Sequence, residues 1–325
     1  MSIALDAMGG DHAPGEIVKG ALEALPDLRM PLILVGHQDK LRPLLPAQLP
    51  SNLSLIHAPT EVSMGEKPTE AYRKKKDSSL MVATQLVKDG RAGAMVSAGN
   101  TGAAVTFALL SWRPIEGIHR PAIAAFMPNY HDGFLLMDAG ASPDADPEHL
   151  LEYAMMARTY ARISYNKPNA KVHLLNIGEE EGKGNAFAKA AYNLLAKEPW
   201  FAGNVEGKDM YTNDDVDIVL CDGFVGNVVL KTAEGVAETM VQMIRDAVPQ
   251  NPALKLAYTP VRWAVGPLRK KVDYAEYGGS PLLGLNGLCT ICHGRSNARA
   301  VKNALLKTQT MIEGRLVESI RETLQ

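Results

Sequence analysis

Residues 93–112 read GAMVSAGNTGAAVTFALLSW. The stretch is as long as a membrane span, but a spanning helix needs about 20 mainly apolar residues. Here Ser97, Asn100, Thr101 and three glycines interrupt the run. It divides instead into a buried strand over 94–98, a glycine turn and a helix over 101–111. The strand is apolar without alternation, as expected when both faces are covered. The polar turn SAGNTGA, 97–103, then falls at the strand's carboxyl end.

The same unit recurs along the chain. Short apolar runs at 2–6, 31–36, 53–57, 122–127, 134–138, 171–177, 217–222 and 288–293 read as strands. Amphipathic stretches at 15–25, 79–89, 147–164, 184–197, 226–247 and 297–324 read as helices. Strands alternating with helices imply an α/β fold, Rossmann-like and three-layered (α/β/α), with a largely parallel sheet. The chain reads as a single α/β catalytic domain over 1–325, with a loop between two lobes near 140–147 (GASPDADP). Residues 248–286 form an irregular zone with five prolines and four glycines.

Composition narrows the function. The 325 residues are 46% hydrophobic and 22% charged, ordinary for a globular protein. A formal net charge of −2 argues against nucleic acid as the main partner. Three cysteines make no disulfide framework and point to a reducing compartment. The first residues, MSIALDAMGGD, lack the basic and long apolar regions of a signal peptide. A cytoplasmic protein is expected, with any membrane role peripheral.

Five strand ends carry a polar glycine turn followed by a helix: DAMGGD at 6–11, SAGNTGA at 97–103, DAGAS at 138–142, NIGEEEGKGN at 176–185 and CDGFVGN at 221–227. Ligands of open α/β sheets bind beyond the carboxyl ends of the strands. Glycine lets the backbone approach an anion, and a helix start offers free N–H groups. The set therefore predicts an anion or phosphate site, and no turn matches a nucleotide signature. Candidate binding residues are Asp6, Gly9, Gly10, Ser97, Asn100, Thr101, Gly102, Asp138, Asn176, Asn185 and His293. Candidates for catalysis are Lys183, Asn227, Asp222, His12 and Lys231. The aspartates at strand ends read equally as helix caps or loop braces. Both lysines and both histidines also have a plain solvated or structural reading.

Cys289 and Cys292 form a C-x-x-C inside an apolar run, which reads as buried thiols. Asp144, Asp146 and Glu148 read as the charged start of a helix, and no metal is expected. Arg73, Lys74, Lys75 and Lys76 form one basic run. A second basic region, 253–275, sets Arg262, Arg269, Lys270 and Lys271 among Trp263 and aliphatic residues. That mixture suits a carrier-protein or membrane contact, an oligomer contact, or a plain surface loop.

Taken together, DAMGGD, RKKKDSS at 73–79, SAGNTGA, NIGEE with KGN, CDGFVGN with Leu230 and Lys231, and GGSPLLG at 278–284 before HGRS resemble the phosphate acyltransferase family of bacterial phospholipid synthesis. They occur in that family's order and cover nearly the whole chain. Ser142, Ser280 and Arg295 depart from the family's pattern. The resemblance implies a fold like isopropylmalate dehydrogenase and phosphate acetyltransferase, a homodimer and no cofactor. It implies transfer of a fatty acyl group from acyl carrier protein to inorganic phosphate, with a membrane glycerol-3-phosphate acyltransferase as the product's destination. A metal- and nicotinamide-dependent hydroxy-acid dehydrogenase on the same fold and a non-enzymatic membrane scaffold are the competing readings.

Overall fold

The structure is a computed structural model, and it describes residues 1–247 and 276–324. Its strands fall into two sheets, each mostly parallel. The first contains β1 (Ile3–Asp6), β2 (Leu32–Gly36), β3 (Leu53–His57), β4 (Ala94–Ser97), β5 (Ala122–Ile123), β11 (Ser280–Leu283) and β12 (Leu288–Ile291), in the order β3-β2-β1-β4-β12-β11-β5. The second contains β6 (Ala125–Met127), β7 (Phe134–Met137), β8 (Val172–Asn176), β9 (Phe201–Glu206) and β10 (Ile218–Leu220), in the order β6-β7-β10-β8-β9.

Helices cover both faces of both sheets, and this is why the central strands are apolar throughout. On one face of the first sheet, Leu5, Leu34 and Val96 pack with Ile17 and Val18 of α1 (Gly15–Ala24) and Leu305 of α9 (Ala298–Glu313). The other face packs Ala4, Val35 and Met95 against α4 (Ser79–Lys88) and α5 (Thr101–Trp112). Helix α6 (Pro147–Tyr165) is shared: its Tyr153, Met156 and Tyr160 pack with Ala94 and Leu288 of the first sheet and Leu135 and Ile218 of the second. The far face of the second sheet, with Leu136 and Val219, receives Val229, Leu230 and Ala233 of α8 (Gly223–Ala247). Shorter helices are α2 (Gln38–Leu41), α3 (Pro68–Lys74), α7 (Ala186–Leu195) and α10 (Leu316–Thr323).

Besides the unforeseen short helices α2 and α3, four elements differ from the sequence reading. The single strand expected over 122–127 is two, β5 and β6, and the chain passes between sheets at Ala124. The helix expected over 297–324 breaks into α9 and α10 at Arg315, which takes a left-handed φ of 50°. The break packs closely: a Cβ on Gly314 would lie 2.3 Å from Ile163. Strand β9 is an unforeseen edge strand, polar at Asn204 and Glu206 and bent at Gly203. Strand β11 lay hidden in the irregular zone because Pro281 argues against a strand. Cys289 and Cys292 are buried, as expected, each in a different core, and burial pushes the Cys292 thiol up to about 12.

Candidate active site

The parallel strands bring the glycine turns to one end of each sheet. Asp6, Ser97 and Ile291 stand level on β1, β4 and β12. On the second sheet Leu220 is level with Met137 and Leu174, so the turns after β7, β10 and β8 stand side by side.

On the first sheet, Asp6 is buried and accepts a hydrogen bond from Ser97 Oγ at 2.8 Å and from the Met8 N–H at 3.2 Å. Ser97 Oγ in turn accepts the Gly99 N–H at 3.1 Å. Burial raises the Asp6 carboxyl above its usual range, against the pull of these hydrogen bonds and one from Ser79. Gly9 lies so close to this brace that a Cβ would meet Asp6 Oδ2 at 2.6 Å. Gly10 takes φ +115°, and the next N–H, of Asp11, donates to the Gly294 carbonyl at 2.8 Å. The DAMGGD and HGRS loops are thereby joined.

On the second sheet, Asp138 has no exposed surface and accepts four backbone N–H groups: Ile123, Gly140 and Ala141 on Oδ1, and Ser142 on Oδ2, all within 3.0 Å. It shapes the DAGAS turn and also ties it to β5. Burial again raises its carboxyl, opposed by these bonds. Ser142 Oγ donates to the Pro121 carbonyl at 2.8 Å. Asp222 caps α8, accepting the Val225 N–H at 2.9 Å. Gly223 and Gly226 let that helix start press on the turn, since a Cβ on Gly226 would lie 1.9 Å from the Asp138 carbonyl oxygen.

Several sequence candidates are bound up in loop architecture. Asn100 caps α5 through the Ala103 N–H at 3.0 Å and donates to the Met64 and Glu66 carbonyls. Asn185 caps α7 through the Ala188 N–H at 2.8 Å. Asn176 holds the NIGEEEGKGN loop closed, donating to the Lys183 carbonyl at 3.2 Å. Asn204, which the sequence reading passed over, donates to the Glu180 carbonyl from beneath at 3.0 Å. Its position on the overlooked strand β9 is the reason it escaped notice. Lys183 is half exposed on that loop, 3.8 Å from Glu180. Thr101 and Gly102 are exposed on the first turn of α5, and His12 is exposed on the DAMGGD loop.

Helix α8 joins the two groups of turns. Asn227 lies over Gly140, and one turn later Leu230 packs against cores of both sheets. Lys231 and Glu234 then meet His293: Lys231 Nζ is 3.3 Å from His293 Nε2 and 2.8 Å from Glu234 Oε2. Glu238 takes the Arg295 guanidinium at 2.6 Å. Chemically, these turns offer glycine backbone, one helix start, an amide at Asn227 and cationic or N–H donors at Lys231 and His293. Such donors are the chemistry that an oxyanion requires.

The outer basic residues divide. Arg73 and Lys74 are exposed at the end of α3, while Lys75 turns inward to Glu66 at 2.7 Å and the Glu61 carbonyl. Arg262, Trp263, Arg269, Lys270 and Lys271 lie outside the described residues. Asp146 starts α6 with Pro147 behind it, and its N–H donates to His149 Nδ1 at 2.8 Å. Among the described residues, no helix is long and apolar enough to cross a membrane.

A family model described as a fatty acid synthesis protein matches residues 1–318. The chain is 48% identical over 326 residues to a phosphate acyltransferase of Desulfitobacterium hafniense (strain DSM 10664 / DCB-2), spanning 100% of this chain and 98% of the relative. A phosphate acyltransferase of Heliobacterium modesticaldum is also 48% identical, over 99% of this chain and 97% of the relative. Among solved structures, a phosphotransacetylase from Streptococcus pyogenes superposes with a TM-score of 0.62 at 18% identity, covering 96% of this chain and 94% of that one. A branched-chain phosphotransacylase from Enterococcus faecalis V583 superposes with a TM-score of 0.55 at 13% identity, covering 96% and 99%. These two share the fold.

Proposed function

The chain belongs to the phosphate acyltransferase family, and on that footing we propose that it transfers a fatty acyl group from acyl carrier protein to inorganic phosphate. The observation that carries this reading is the meeting of the anion-ready turns of both sheets along α8, from Asn227 over Gly140 to Lys231 beside His293. A substrate that must be gripped as an anion on one side and held at a thioester on the other suits such an arrangement of donors.

Hydrogen phosphate attacks the thioester carbonyl carbon. A C–O bond forms, the carbonyl electrons move onto oxygen, and the tetrahedral oxyanion is stabilised by N–H or cationic donors. The C–S bond then breaks, giving an acyl phosphate and the carrier's thiolate, which takes up the proton released by the phosphate. The nucleophile needs placement more than a strong base. Lys183, Asn227, Lys231 and His293 are the groups proposed to hold phosphate and oxyanion, with the glycine turns beneath them.

The acyl phosphate would pass to a membrane glycerol-3-phosphate acyltransferase. Arg73 and Lys74 are exposed cations suited to an acidic carrier protein. A homodimer finds support on α8, where Val225 and Val228, and two turns later Val236, Met240 and Met243, stand three or four residues apart with their side chains exposed. The region 253–275 is proposed to rest on the inner face of the cell membrane.

Hydroxylamine trapping tests the reaction. With acyl carrier protein thioester and phosphate, and without nicotinamide, the protein should yield trappable acyl phosphate. Acyl loss that continues unchanged without phosphate, or that a chelator abolishes and a divalent ion restores, would refute the mechanism.

A further inference from the structure

No motif marks Glu234, yet it stands where two donors converge. Lys231 Nζ donates to Glu234 Oε2 at 2.8 Å, and the same oxygen lies 3.6 Å from His293 Nε2. On the other side of the ring, His293 Nδ1 accepts the Arg295 N–H at 3.1 Å. That bond occupies the Nδ1 lone pair, so the neutral imidazole carries its proton on Nε2. The Lys231 ammonium and the Nε2–H are then two donors 3.3 Å apart. They repel unless negative charge lies beside them, and the Glu234 carboxylate supplies it: it accepts from Lys231 and stands 3.6 Å from the ring nitrogen, beyond hydrogen-bond reach.

Glu234 is suited to the task. Burial opposes its ionisation, but the Lys231 hydrogen bond and the neighbouring His293 ring outweigh burial and hold its carboxyl below the usual range. The arrangement is repeated one turn along, where Glu238 grips the Arg295 guanidinium at 2.6 and 3.3 Å. Two carboxylates of α8 thus fix the 293–295 turn, which the Asp11 N–H ties to the first sheet. Lys231 remains half exposed and, with three N–H donors, has bonds to spare. Among the described residues, charged groups near the imidazole include Lys231, Glu234 and Glu238 of α8, Arg295 of its own loop, and Asp11, whose carboxylate lies beside Gly294.

We propose that Glu234 is a positioning residue that keeps Lys231 and His293 together as a two-donor clamp, and that inorganic phosphate binds to this clamp. The proposal rests on the acyl transfer reading above and adds to it the group that aims the donors.

The test compares Glu234→Gln and Glu234→Asp with the parent. Glu234→Gln should raise the KM for phosphate by roughly tenfold, the worth of one charge-assisted hydrogen bond. kcat at saturating phosphate should fall far less, and the KM for the acyl donor should hold. Glu234→Asp, which keeps the charge, should recover part of the loss. Calorimetric titration with inorganic phosphate alone should show the same order of affinities. An unchanged phosphate KM in Glu234→Gln, or a loss of kcat with KM retained, overturns the proposal. If Glu234→Gln does not fold, phosphate affinity of Glu234→Asp equal to the parent's, alongside that of Lys231→Met, also overturns it. A parent that binds phosphate in this Glu234-dependent way but makes no acyl phosphate would sink the reaction and leave the clamp standing.

Discussion

Asn227 lies directly above Gly140: a Cβ on that glycine would fall 3.1 Å from the Asn227 Cβ and 3.4 Å from its Oδ1. Gly140 also takes φ +127°, a conformation that side chains avoid. The amide is therefore set against bare backbone at the mouth of the DAGAS turn. Asn227→Ala and Lys183→Ala should each lower turnover by at least about tenfold, roughly 1.4 kcal/mol of barrier, with the fold kept. Steady-state kinetics beside circular dichroism checks this. Near-parental rates for both would place the chemistry on other loops.

Gly226→Ala should be far more damaging than its size suggests. The added methyl would lie 1.9 Å from the Asp138 carbonyl oxygen, with Cys221 Sγ at 2.9 Å on the same side. Backbone cannot step aside as a flexible side chain can, so the start of α8 must move. A loss of about 3 kcal/mol or more is expected in urea unfolding, together with lost activity. A variant of parental stability and rate would mean that α8 is not seated as described.

Lys307 yields a pH test. Its Nζ donates to Tyr165 Oη and, at 3.0 Å, to the Tyr277 carbonyl, beside the rings of Phe126, Tyr160 and Tyr165. Burial pulls its pKa down from 10.5 to about 7. A cation whose folded pKa is depressed opposes folding in full below about pH 7, and the penalty fades as pH rises to 10.5. The stability of the parent relative to Lys307→Met should therefore improve between pH 7 and 10.5. A difference in melting temperature that stays constant across that window would contradict it.

The region 253–275 lies outside the described residues, and its proposed membrane role stands on composition. Replacing Leu254, Val261 and Trp263 with polar residues should abolish flotation with anionic vesicles and leave soluble acyl transfer intact. Salt should weaken the parent's binding, because the electrostatic part is screened within about a Debye length. Undiminished flotation of an active, dimeric variant rejects the membrane role. Collapse to monomers assigns the segment to the subunit interface.

What the sequence disclosed was the local grammar. Strand, glycine turn and helix at 94–112 are visible because burial on both faces leaves an apolar run and the turn needs glycine. Non-local facts were hidden. Nothing in AIAAFM tells that Ala122 and Ala125 belong to different sheets, because both are apolar and both are paired. The site was legible as a set of loops, yet its internal division was not. Asn100 and Asn185 are helix caps, a role that their residue type shares with ligand binding. Glu234 and Asn204 carried no signal, since one sits in mid-helix and the other on an edge strand with a bend.

The order of strands in the first sheet has a bearing on synthesis. β4 is flanked by β1 on one side and by β12 on the other, and β12 emerges from the ribosome nearly two hundred residues later. Until then the edge of β4 is an unpaired apolar ribbon, the kind of surface that recruits another chain. The second sheet is translated entirely within this interval. The nascent protein thus passes through a long stage in which its N-terminal half is unfinished at the middle rather than at the rim. An open strand edge of this kind makes such an intermediate prone to aggregation until β12 arrives.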